Sequence, residues 1–187
     1  MKNHLPQLIF VALLSPVLAG PAISAESSDS QIEISGTVGR VCVLPTPMQT
    51  AGSNARFNNG QLVIDELIDE NTATVRASSV QITFPKAMCN YNASITIGSQ
   101  NVGLTLQNEQ QALSDNFIRK VPYKINGKWG SVDIPVLDTA SEGMVSRAAG
   151  GANLGDLTIT VTTENGTQPA LHGEYRDIIV LKLGSAM

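Results

Sequence analysis

The chain has 187 residues, with 12 basic and 16 acidic side chains and a formal net charge of −4. Nucleic acids and anionic membranes select basic patches, so this balance argues against both as partners. Aromatic residues make up only 4% of the chain, while Thr, Ser, Val, Ile and Gly are plentiful, a composition of strands and turns rather than helices.

The first element in chain order is an export signal. Lys2 supplies a positive start, residues 8–14 (LIFVALL) an apolar run, and residues 22–25 (AISA) a small-residue cleavage site. That run is too short for a membrane span. The expected mature chain therefore starts at Glu26 and is exported, without membrane insertion. Removing residues 1–25 leaves 187 − 25 = 162 residues, the size of one domain. The signal holds one Lys and no acid, so the mature net charge is 11 − 16 = −5.

Residues 26–36 form a polar N-terminal extension, and 37–187 are expected to make a single domain. Within the extension, QIEIS at 31–35 alternates, with Ile32 and Ile34 on one face. A second extended run over 37–44 is stopped by Pro45 and Pro47. Residues 48–53 read as a loop, and Asn58-Asn59-Gly60 as a tight turn, because Asn and Gly tolerate positive φ. Residues 62–64, 72–77 and 79–84 continue the β pattern around the acidic piece Asp65, Glu66, Asp69 and Glu70. Residues 93–97 and 102–106 suggest a hairpin around 98–101, and 112–116 a connector.

Residues 117–125 are another extended run, with Pro122 marking an edge or a bulge. Asn126-Gly127 suggests a turn, residues 132–137 pair locally, and 138–155 reads as a long loop. Residues 157–162 (LTITVT) alternate most clearly of all. The closing run, 171–183, leaves a glycine turn and places Tyr175, Asp177, Ile179, Leu181 and Leu183 on one face. Ile178 and Val180 lie on the other, so this last strand is apolar on both sides and needs cover.

Two cysteines, Cys42 and Cys89, follow the signal. In an exported chain the expected reading is one disulfide, with free thiols or an intermolecular bond as the alternatives. It closes a loop of about 48 residues, worth roughly 4 kcal/mol in the chain-entropy model.

About eight short strands with turn signals between them favour a β-sandwich or a barrel. Three details resemble the chaperone–usher pilins, in particular the archaic type grouped with spore coat protein U domains. A signal and short polar stretch precede an alternating strand with the first cysteine, residues 31–43. A second cysteine follows a later strand, residues 79–89. The chain closes on Gly173-x-Tyr175-x-Asp177 and alternating aliphatics. The likeness spans most of the mature chain.

That resemblance implies an all-β, immunoglobulin-like sandwich that lacks its final strand and is completed by donor-strand exchange. Ile179, Leu181 and Leu183 then form the groove wall, and Ile32 and Ile34 are the donor-strand plugs. The implied function is a structural or adhesive subunit of an extracellular bacterial pilus or coat. It assembles with copies of itself or related subunits, with a periplasmic chaperone and an outer-membrane usher as transit partners. Ile32 and Ile34 fit equally well a strand paired within its own subunit. The alternative is therefore a self-contained secreted sandwich that binds a glycan or protein.

No residue set points to an enzyme, a metal site or a cofactor. The acidic run lacks the spacing of a calcium loop, and crowded carboxylates commonly make a solvated face. His172, the one histidine after the signal, shares a segment with Asp177 but has no nucleophile pattern nearby. Trp129, Tyr123 and Tyr91 offer either a sugar-stacking platform or core, and core is the expectation for Trp129. Tyr175 is expected to bond its hydroxyl to nearby backbone as in a tyrosine corner.

Overall fold

A computed structural model describes residues 30–107 and 115–185. The expected export signal lies outside the described residues, as does most of the connector expected at 112–116. The chain divides into two units, Met1–Thr37 and Val38–Met187. The described part of the first, residues 30–37, holds no strand.

The second unit is all-β, with no helix among the described residues. Its strands are β1 (Cys42–Val43), β2 (Met48–Ser53), β3 (Ala55–Asn58), β4 (Gln61–Ile64), β5 (Ser78–Cys89), β6 (Ser94–Ser99) and β7 (Leu104–Leu106). There follow β8 (Lys120–Val121), β9 (Lys124–Trp129), β10 (Val132–Asp138), β11 (Met144–Ala148), β12 (Asn153–Thr163), β13 (Tyr175–Arg176) and β14 (Ile179–Gly184). One sheet runs β1-β5-β12-β9-β10, with β2 also paired to β5; a second runs β11-β6-β14. Smaller sheets are β13-β7-β8 and the β3-β4 hairpin, and the strand pairs are antiparallel.

The two larger sheets share one apolar core. Val80, Ile82, Ile125, Trp129, Leu157, Ile159 and Val161 face inward from the first, Ile95, Ile97 and Val145 from the second. The period of two is visible in burial: along β12 from Leu157 to Thr163, every second residue is buried. Trp129 is fully buried, and its indole N–H donates to the Ala87 carbonyl. This satisfies the one polar atom that the ring brings into the core.

Cys42 and Cys89 form the disulfide, and they are direct cross-strand partners with Cα atoms 4.2 Å apart. Pro45 and Pro47 do interrupt the first strand, but pairing with β5 resumes at once. Residues 48–53, expected as a loop, are β2. Their side chains are exposed throughout, so no apolar alternation marks them. The strand exists because β5 offers its edge. The Asn59-Gly60 turn is present, with both residues at positive φ, and it joins β3 to β4.

Three further expectations are corrected. Residues 93–97 and 102–106 do not form a hairpin: β6 pairs with β11 and β14, and β7 with β8 and β13. Val102 and Gly103 both take positive φ there and turn the chain into another sheet. Asn126 and Gly127 lie within β9, and the turn falls at Gly130. A Cβ on Gly127 would sit 2.9 Å from Ile134 Cδ1, so the glycine serves close packing. Residues 138–155 hold β11 and the start of β12 rather than one long loop.

Residues 72–77 contribute only isolated bridges, Ile68 to Val75 and Thr74 to Pro169. Pro85 lies inside β5 at a register shift opposite Asp156. The Asp156 carboxylate accepts from the Lys86 N–H there, and the proline sits where the β5–β12 ladder is already interrupted.

Candidate functional site

The closing segment is held by three residues of one short motif. Gly173 has φ +148, and a Cβ there would run into Leu106 Cδ1. Tyr175 donates its hydroxyl proton between two backbone carbonyls, Leu171 at 2.9 Å and Ile118 at 3.0 Å. Burial raises the Tyr175 pKa, so the phenol stays protonated and able to donate.

Asp177 is the hub. Its carboxylate accepts from Ser99 Oγ, the Asn101 and Gly103 N–H groups, the Tyr123 hydroxyl and the Ile178 N–H. Burial alone would raise its pKa, but the donors Ser99, Asn101, Tyr123 and Ile178 outweigh that and lower it. Tyr123 shifts the other way, chiefly through burial, and stays a hydroxyl donor. One carboxylate thus ties the loop after β6, the start of β9 and the root of β14 together. The partners Ser99, Asn101, Gly103 and Tyr123 were not legible from the sequence. Only the polar run 99–101 between aliphatic stretches hinted at them.

Beyond Asp177, β14 pairs with β6 in register: Ile179 with Ser99, Leu181 with Ile97, Leu183 with Ile95. Ile179, Leu181 and Leu183 point into the core yet stay half-buried, whereas Ile95 and Ile97 on the central strand are 0% exposed. The difference is positional. β14 ends its sheet, and among the described residues its second edge pairs with no strand. On that side β14 neighbours β1, whereas on the opposite side β10 neighbours β11. Cys42 and Tyr91 are also only half-buried against the core. An open backbone edge therefore runs beside a partly covered apolar row.

In the first unit, Ile32 and Ile34 are 84% and 93% exposed. The unit boundary falls at Thr37, and residues 39–41 are fastened to the sandwich. Asn90 donates to the Gly39 carbonyl and accepts from the Val41 N–H, while its own N–H bonds the Val41 carbonyl. Arg40 lies over the Tyr91 ring.

Other candidate residues are occupied structurally. Asp65 pairs with Arg56 and Glu66 with Arg76. Asp69 accepts from the Asn71 and Thr72 N–H groups and lies below the usual carboxylate range for that reason. His172 is exposed, and the Asp177 oxygens are taken by the donors already named. With Trp129 and Tyr123 buried, neither offers a face for sugar stacking. A shallow groove of about 530 Å³ crosses the outer face of the larger sheet, lined by polar groups such as Gln81, Asn126, Lys128 and Thr160, with no aromatic side chain.

Comparison of the chain with protein-family models, curated proteins and solved structures finds no match.

Proposed function

We propose that this chain is an exported structural subunit, an incomplete immunoglobulin-like sandwich that joins copies of itself by strand addition. The observation that carries the reading is the open edge of β14 beside the half-buried row Ile179, Leu181 and Leu183. An added strand satisfies the unpaired backbone groups and covers apolar surface in one step. The segment around Ile32 and Ile34 is the proposed donor: it alternates, is exposed, and carries two aliphatics on one face.

Strand direction favours a donor from another copy. β14 ends where Gly184 pairs Ser94, and β1 begins where Cys42 pairs Cys89, both beside the turn at 90–93. A leading segment folded back from there onto its own β14 would have to run parallel to it. A segment from another copy is free to run antiparallel, as the other pairs of that sheet do. Antiparallel pairing is slightly the more stable per residue.

The subunit then belongs to an extracellular bacterial fibre or coat of the archaic pilin or spore coat U kind. A chaperone protects the edge in the periplasm, and an usher exports the subunit. The disulfide suits such an oxidising compartment.

The test is the Ile32→Asp/Ile34→Asp variant of the mature chain, compared with wild type by light scattering. Loss of assemblies with an unchanged monomer melt is expected. Unchanged assemblies contradict strand addition by this segment. A monomer that loses stability instead points to a segment paired within its own subunit.

A further inference from the structure

The pole of the sandwich at which the chain enters β1 carries an apolar patch that is exposed among the described residues of Val38–Met187. Val43, Met88 and Leu154 are successive cross-strand partners on β1, β5 and β12. Directly opposite residues share a face, so their side chains form one row on the outside of the larger sheet. Val41 extends it by the same alternation. Leu154 is 67% exposed, Val41 45% and Val43 42%, and Met88 is half-buried. Farther along, Gln81 and Thr83 on β5 and Asp156, Thr158 and Thr160 on β12 face outward and are polar, with Pro85 and, on β2, Met48 as apolar exceptions. On β1, β5 and β12 the row of three aligned aliphatics lies at this end.

We infer that this patch is the seat of a second copy of the chain, packed against the pole as well as linked through the leading segment. The inference rests on the assembly reading above. Asn90 fixes residues 39–41 beside the row. If Ile34 fills a neighbour, only residues 35–38 separate the two bodies, and the five steps from Ile34 to Gly39 span at most about 18 Å. The neighbour's surface must lie that close to the patch, and an exposed aliphatic row across three strands is the contact it meets first. Gly36, within the linker, has open space around it and brings no side chain to hold the neighbour at an angle. Burial of the row supplies that restraint and adds to the affinity.

The test compares four forms of the mature chain by concentration-dependent light scattering: wild type, Leu154→Glu, Ile32→Asp/Ile34→Asp, and Thr160→Glu as a control on the polar part of the same face. The expected result is an assembly midpoint about tenfold higher for Leu154→Glu, with Thr160→Glu matching wild type and monomer melts unchanged. If Leu154→Glu assembles as wild type does while the isoleucine variant fails, strand addition stands and the packing surface is wrong. If Leu154→Glu weakens assembly while the isoleucine variant does not, copies pack through the patch and strand addition is wrong. Equal effects from Leu154→Glu and Thr160→Glu reduce the first to added charge and overturn the patch. A wild type that stays monomeric at several hundred micromolar overturns both.

Discussion

Asp177 does more for this molecule than any other single side chain near the closing strand. Five donors converge on its carboxylate, and several are left unpaired if it is truncated. Asp177→Ala is expected to cost about 2–3 kcal/mol in chemical denaturation, since hydrogen bonds to a charged group are the stronger ones. Its lowered folded pKa fixes the sign of the pH dependence. The carboxylate's contribution is complete above the unfolded value of about 3.9 and is lost as pH falls through the lower folded one. Asp177→Asn therefore flattens the acid limb of a stability–pH profile, and an unchanged limb contradicts the role. Tyr175→Phe removes one shared donor and is expected to cost about 1 kcal/mol in the same assay. The closing motif was visible in the sequence as Gly173, Tyr175 and Asp177. The groups that Asp177 gathers were not, because Ser99 and Tyr123 meet it only through tertiary contact.

Individual strands differ in how far local chemistry determines them. β12 could be read directly, since Leu157, Ile159 and Val161 alternate with threonines and all three are buried. The turn joining β3 to β4 was equally legible, because Asn59 and Gly60 supply the positive φ that a two-residue turn demands, though β3 itself was not expected. β2 was not. Its six residues are exposed, and their pairing comes from β5. Likewise Asn126-Gly127 has turn chemistry, but Ile134 fills the space above Gly127 and keeps it in β9. β1 is only two residues long and depends on its covalent link to β5. Replacing both Cys42 and Cys89 with Ser is expected to lower unfolding free energy by about 4 kcal/mol in the chain-entropy model. A denaturant midpoint that does not move would show that β1 needs no such link.

At the largest scale the second unit, Val38–Met187, is sandwich-like: its two larger sheets approach each other on both sides, and among the described residues β14 ends its sheet with its second edge unpaired. The edge strand is the last in the chain, and a segment with matching alternation precedes the first. Sequence alternation made both visible. It could not decide between pairing within one copy and pairing between two, because period-two patterns carry no information about which chain supplies the partner. Strand direction bears on that choice, because a leading segment folded back onto its own β14 would run parallel to it. The most direct measurement places a photoreactive side chain at position 34 of unlabelled chains and mixes these, unfolded, with isotopically heavy chains before refolding and assembly. The account predicts cross-links from position 34 of light chains to residues 179–183 of heavy ones. Cross-links that stay within a single chain, or that never reach β14, contradict it.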